Sequence, residues 1–233
     1  VKIRLPEDVA ELKKYDADVF IVAAFGQILS KEILDMPKYG SINIHASLLP
    51  MYRGAAPINW CIINGDKQTG VTIQQMGEGV DTGDILSVKV LALDKKETAQ
   101  TLFDRLSVAG SELIVETLDK IEKGEITPVK QDESQATHVK KMDKSLGNID
   151  WSMGAVEIER LVRGLNSWPS AYTYFQGKSV KLWDCDVVEA NCDVTPGTFV
   201  DVTKTYIDVA TGDGVLRINE LQLEGKKRMD VKS

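Results

Sequence analysis

An open α/β sheet followed by a small β-barrel is the fold class that this sequence predicts, and three stretches predict it. Ala17 to Gly26 (ADVFIVAAFG) is a continuous apolar run, the pattern of a parallel strand buried on both faces. Gly40 to Gly54 (GSINIHASLLPMYRG) joins an alternating strand to a tight loop. Beyond Ala171, five short strands separated by Gly, Asn, Asp and Pro turns suggest a small barrel. At 233 residues the chain exceeds the length of a typical single domain, so one domain and a smaller one are expected.

Each element has a local reason. The first ten residues read as a loop leading into a helix that starts at Pro6-Glu7-Asp8, since proline and acidic residues suit a first turn. Leu5, Val9 and Leu12 give it an apolar face. The apolar run at 17–26 would lie deep in a sheet, and Ser30 is a candidate N-cap for a short helix through Leu34. Pro37 to Gly40 stops that helix. Ile42, Ile44 and Ala46 then alternate with Ser41, Asn43 and His45, which puts Asn43 and His45 on one face of a strand. They fall at its carboxyl end beside a loop, where open α/β sheets bind ligands.

A helix over about 56–63 ends at Asn64-Gly65-Asp66, and 71–76 alternates as a strand. Gly77 to Asp84 (GEGVDTGD) is polar and glycine-rich, suited to a binding loop. A strand over Ile85 to Leu93 and a long amphipathic helix over Thr98 to Lys123 follow, the helix with Leu102, Leu106, Ala109, Leu113, Ile114, Leu118 and Ile121 on its apolar face. The chain turns polar from Ile126 to Asn148, as a linker or an extended wrap. The expected division is a first domain over 1–126, a linker over 127–148 and a second domain over 149–233. The second opens with a helix near 155–165, broken by Asn166-Ser167-Trp168-Pro169, before the strands begin.

Composition narrows the function classes. Hydrophobic residues are 43% and charged residues 27%, and no apolar run approaches the roughly 20 residues that a membrane span needs, so no membrane partner is expected. No export leader is recognisable, which makes the cytoplasm the expected location. The three cysteines, Cys61, Cys185 and Cys192, form no CxxC pair and read as buried or idle thiols. His45 and His138 are far apart, so no metal is expected. The net charge of −7 argues against broad binding to nucleic acid. It is uneven: residues 1–138 carry −6 and residues 139–233 carry −1, so an anionic partner would prefer the second part.

Asn43, His45 and Asp81 form a candidate acyl-transfer set. An amide donor and an imidazole would stabilise an oxyanion, and a carboxylate would orient the imidazole or pass a proton. Each residue also has a bland reading. Asn43 and His45 suit a solvated face or an internal hydrogen bond, and Asp81 and Asp84 beside glycines suit a turn. Ser47 has no nucleophile-elbow context and is set aside as a nucleophile. Lys226-Lys227-Arg228 is the one strong basic cluster, fit for a phosphate backbone or a solvated hairpin tip. Trp151, Trp168 and Trp183 fit packing around the barrel better than base stacking.

At these residues the chain resembles the folate-dependent formyltransferases, with Asn43-Ile44-His45, Ser47 to Pro50 and Asp81 in the family's pattern. Within them it is similar to the methionyl-tRNA formyltransferases through AAFGQIL, INIHASLLPMYRGAAPI, GVTIQQM, GVDTGDIL, IDWS, LNSWPSAY and PGTF. The resemblance implies a Rossmann-like formyltransferase domain and an OB-like barrel that helps hold tRNA. It implies 10-formyltetrahydrofolate as formyl donor, methionyl initiator tRNA as acceptor, and a monomer. Asn43 and His45 would hold the formyl oxygen while Asp81 supports His45. Phe25, Gly26, Gln27, Ile28 and Leu29, the loop of Ser47, Leu48, Leu49 and Pro50, and the 77–84 loop with Asp81 would line the folate pocket. Lys226, Lys227 and Arg228 would contact tRNA. The family's opening Gly-Thr-Pro turn and basic loop do not occur in this sequence, so the first domain is expected to be N-terminally incomplete. Two other readings stay open: a formyltransferase of amino sugar nucleotides, and a folate- or RNA-binding fragment without turnover.

Overall fold

The computed structural model describes residue 3, residues 5–190 and residues 193–232. Cys192, expected to be an idle thiol, lies outside the described residues. Two compact units are present. The first runs through the described residues to Pro57, then Lys67–Leu93 and Phe103–Lys141; the second takes Ile58–Asp66, Asp94–Leu102 and the described residues from Met142 onward.

In chain order, α1 (Pro6–Lys13), β1 (Phe20–Ala23), α2 (Lys31–Leu34), β2 (Ser41–His45), β3 (Arg53–Gly54), α3 (Pro57–Asn64), β4 (Gln68–Gln75), β5 (Ile85–Ala92), α4 (Ala99–Glu122) and β6 (His138–Val139) come first. The helix starting at Pro6 and the strand holding Asn43 and His45 are as the sequence predicts. The main sheet of the first unit has the order β1-β2-β4-β5. Strands β1 and β2 are parallel, and the other neighbours are antiparallel.

Among the described residues β1, within the apolar run at 17–26, pairs with β2 alone, and Ile21 is 48% exposed. One face is covered, because Phe20 and Val22 pack against Leu29, Ile33 and Leu34. Ser30 precedes α2 as expected, yet its hydroxyl does not cap the helix; its backbone carbonyl accepts from the N–H groups of Ile33 and Leu34.

Helix α4 buries the predicted stripe, including Leu102, Leu106, Ala109, Leu113 and Ile114. Gly110 lets it approach the sheet closely, since a Cβ there would sit 3.0 Å from the Ile44 side chain and 3.6 Å from Val71. After α4 the polar stretch wraps the first unit. Val129 bridges to Ile85, the Arg53 N–H donates to the Thr137 carbonyl, and β6 pairs in parallel with β3.

The second unit contains α5 (Ala155–Gly164), β7 (Ala171–Phe175), β8 (Lys178–Val188), β9 (Phe199–Val202), β10 (Ile207–Ala210), β11 (Val215–Leu223) and β12 (Met229–Asp230). Its sheet has the order β7-β8-β11-β10-β9, with β12 also on β11. The expected barrel is open: no hydrogen-bonded ladder among the described residues joins β7 to β9. The two edge strands meet instead through the Phe175 and Phe199 rings, edge to face at 5.4 Å. Ala155, Ile158, Leu161 and Val162 of α5 are buried with Leu182, Cys185, Val209, Leu216 and Ile218 of the sheet.

Candidate active site

The site begins with the register of two antiparallel strands. Asn43 of β2 lies opposite Gln74 of β4, and His45 lies opposite Thr72. Directly opposed residues point to the same face, so Asn43, His45 and Gln74 share one polar face. The 77–84 loop folds onto that face and delivers Asp81.

Asp81 is the hub. Its Oδ1 accepts from Gln74 Nε2 at 2.9 Å and Asn43 Nδ2 at 3.4 Å, and lies 3.5 Å from His45 Nδ1. Its Oδ2 accepts from the Gly54 N–H at 2.8 Å. Thus the two short bonds come from groups outside the predicted set, while Asn43 and His45 approach loosely. Donors held this loosely give up little when a ligand replaces Asp81 as acceptor.

His45 is buried, 6% exposed. Its Nε2 lies 3.0 Å from the Tyr52 carbonyl, which has only lone pairs to offer, so Nε2 carries a proton and donates there. That contact fixes the ring and turns Nδ1 to Asp81. A proton on Nδ1 would meet Asp81 Oδ1.

Backbone strain accompanies the site. Asp81 has φ +54° and Tyr52 φ +60°, both in the left-handed region that side chains disfavour. Such residues cost roughly 1–3 kcal/mol each and persist where surrounding bonds over-determine them. For Asp81 those bonds include Gln131, whose Nε2 donates to the carbonyls of Asp81 at 2.9 Å and Gly83 at 2.7 Å. Arg53, 1% exposed, supports Gln131: its Nε and one terminal nitrogen donate to Gln131 Oε1 at 3.0 and 2.8 Å. Its terminal nitrogens also donate to Glu133 at 2.9 and 2.7 Å. This hydrogen bonding pulls the Glu133 carboxyl below the usual range.

The structure places the Asn43 and His45 side chains within 3.5 Å of Asp81. Around them, Phe25 and Gln27 are half-buried, Gly26 and Ile28 exposed, and Leu29 buried against Ile33 and Leu34. Ser47 is wholly buried, and its hydroxyl donates to the Met51 carbonyl at 2.6 Å. Leu49 is buried, while Leu48 and Pro50 are half-buried. Ile28 and Val80 expose apolar side chains on two of the three loops assigned to a folate pocket, and Met51 does so directly after the third. Asp84 engages through its backbone carbonyl, which accepts from the Gln75 N–H.

Lys226, Lys227 and Arg228 lie in the second unit, in the exposed turn between β11 and β12. Arg228 pairs with Glu220 and covers the Trp183 ring at 4.9 Å. Trp151 donates to Thr173 and Trp168 is 53% exposed. Among the described residues no group of three or more His, Cys, Asp or Glu side chains is placed to hold a metal ion, and no helix is long and apolar enough to cross a membrane.

Sequence reading missed Gln74, Arg53, Gln131 and the Gly54 N–H. Gln74 carried no distinct signal on a strand that also holds Gln68, Thr69, Thr72 and Gln75, and only the register shows that it faces Asn43. Gln131 and Arg53 are 78 residues apart and carried none.

Two family profiles match the chain, formyl transferase over residues 2–118 and formyl transferase, C-terminal domain, over residues 141–233. The methionyl-tRNA formyltransferase of Lachnospira eligens is 55% identical over 227 residues, covering 95% of this chain and 72% of the relative. That of Agathobacter rectalis is 53% identical over 233 residues, covering 100% of this chain and 75% of the relative. HypX from Aquifex aeolicus, solved in complex with tetrahydrofolic acid, aligns with a TM-score of 0.73 at 21% identity over 96% of this chain and 39% of its own. An N-formyltransferase from Helicobacter canadensis, in complex with folinic acid and dTDP-3-aminofucose, aligns at 0.67 with 19% identity, covering 88% and 71%. These last two likenesses concern the fold alone.

Proposed function

We infer the activity from a family that is plain: the chain belongs to the formyl transferases, and within them to the methionyl-tRNA formyltransferases. It transfers a formyl group to the amino group of methionyl initiator tRNA, for translation initiation. The formyl donor in this reading is 10-formyltetrahydrofolate, and the enzyme acts as a cytoplasmic monomer. The observation that carries the site assignment is the convergence of Asn43, His45 and Gln74 on Asp81 Oδ1.

In the proposed reaction the methionine amine forms a bond to the formyl carbon, and the bond from that carbon to the folate nitrogen breaks. Between these events the formyl oxygen carries negative charge. Asn43 Nδ2 and a protonated His45 Nδ1 donate to it, having only long contacts to give up at Asp81. Asp81 balances the imidazole and, directly or through water, takes the proton lost by the amine, which passes on to the departing folate nitrogen. The Tyr52 carbonyl keeps the ring oriented throughout. Ile28, Met51 and Val80 suit an aromatic folate, whose rings would cover side chains otherwise left in water.

Transfer of label from 10-formyltetrahydrofolate to methionyl initiator tRNA tests this. Asn43→Ala is expected to lower kcat about 10²–10³-fold, as loss of one oxyanion donor does. Asp81→Asn is expected to cost at least as much. Transfer to an amino sugar nucleotide with none to the tRNA would overturn the acceptor, and turnover undiminished in Asn43→Ala and Asp81→Asn would overturn the site.

A further inference from the structure

We propose that Gln131 and Arg53 are positioning residues for formyl transfer, a clamp from the wrap after α4 that holds Asp81 where Asn43 and His45 meet it. This rests on the reading of Asp81 as a member of the active site.

Gln131 is the working half. Its amide nitrogen spans two carbonyls of one loop, those of Asp81 and Gly83, at 2.9 and 2.7 Å. Asp81 stands at φ +54°, and a Cβ at Gly83 would collide with the Gln75 carbonyl, so the loop is both strained and tightly seated. Holding both carbonyls on one donor fixes the direction in which the Asp81 side chain leaves the backbone. The carboxylate is thereby aimed at Gly54 N–H, Gln74 and the Asn43–His45 pair.

Arg53 is the fixed half. A free glutamine amide can flip, which would set its oxygen against two carbonyls. Here the Oε1 atom accepts two guanidinium N–H bonds, at 3.0 and 2.8 Å, so the nitrogen must face the loop. The guanidinium is itself immobile, buried among Gln131 and Glu133 at the start of β3. Gly54, the next residue, supplies the N–H bound by Asp81 Oδ2. A single dipeptide therefore anchors Asp81 from the side-chain end and, through Gln131, from the backbone end. Displacement of about 1 Å at a reacting group is enough to cost roughly 10²-fold in rate, which is why a support of this kind belongs to function.

Gln131→Glu separates positioning from bulk structure. The new carboxylate keeps the shape and pairs with Arg53, but it has no N–H for the loop carbonyls and repels them. The expected result is a protein with the parent circular dichroism, a kcat about 10–100-fold lower and a KM for 10-formyltetrahydrofolate within about threefold. Combined with Asp81→Asn, the substitution should cost nothing further, since its effect passes through Asp81. Glu133→Gln, which loosens the guanidinium from its exposed side, should show a smaller loss that also vanishes in the Asp81→Asn background; it decides the matter if Gln131→Glu does not fold. An unchanged kcat in both variants, or the same loss with and without Asp81, overturns the clamp. A fully active Asp81→Asn protein overturns the reading of Asp81 beneath it, and is recognised by that single variant alone.

Discussion

Gln74 shows how one residue is forced into a costly arrangement by its neighbour. The Nε2 atom must face the Asp81 carboxylate, because the flipped amide would oppose oxygen to oxygen. The Oε1 atom is then buried without a hydrogen-bond partner, in a residue 2% exposed. An unsatisfied buried acceptor costs about 1–3 kcal/mol. Gln74→Met removes that cost together with the 2.9 Å bond to the carboxylate, so stability to chemical denaturation should change by less than about 1 kcal/mol, while kcat falls as the carboxylate loses its shortest side-chain donor. A loss of stability without a change in kcat would show that Gln74 serves packing. Cys185 is a quieter case: burial pushes its thiol well above the ordinary value, so it should resist alkylation in the folded protein.

At the scale of elements, close approach and short caps decide the details. Helix α4 meets the sheet over Gly110, where a Cβ would already press on the Ile44 side chain at 3.0 Å and a larger side chain would have to displace it. Gly110→Leu should lower stability by roughly 1–3 kcal/mol, read from a denaturant midpoint, through overpacking. The wrap after α4 has a different weakness. Asp132 is bonded by the Ser134 hydroxyl and N–H, and Glu133 by Arg53, which holds both carboxyls below their usual values. A lowered folded value means that the stabilisation is present above the unfolded value near pH 4 and is lost as pH falls through the folded ones. The protection of amides in 131–139 against hydrogen exchange, relative to the intrinsic rate at each pH, is accordingly expected to fall below about pH 4, ahead of the buried strand β4. Equal protection of the wrap and β4 down to global unfolding would refute this.

Over the molecule as a whole, charge constrains how an anionic tRNA could be held. The net charge of −7 resists it, and many cations are already engaged: Lys96 with Asp186, Arg217 with Asp208, Arg228 with Glu220. Lys226 and Lys227 stand in an exposed turn of the second unit. If they neutralise phosphates, Lys226→Ala with Lys227→Ala should weaken tRNA binding and lower the slope of log affinity against log salt by up to about 2, with kcat kept at saturating tRNA. An unchanged slope would remove them from the interface.

Much of this protein was legible locally. Alternation at 41–46 placed Asn43 and His45 on one face, helical spacing marked the buried stripe of α4, and turn residues marked the strands of the second unit, because period and punctuation are properties of neighbouring residues. The motif residues were enough to mark a formyl transferase. What tertiary structure alone decided are relations between distant segments. Register set Gln74 beside Asn43, the wrap carried Gln131 back to Asp81, and the edge strands of the open second sheet meet by an aromatic contact instead of a ladder. The physical reason is common to all three: hydrogen bonds and burial between remote segments depend on where the chain returns, which no local pattern encodes.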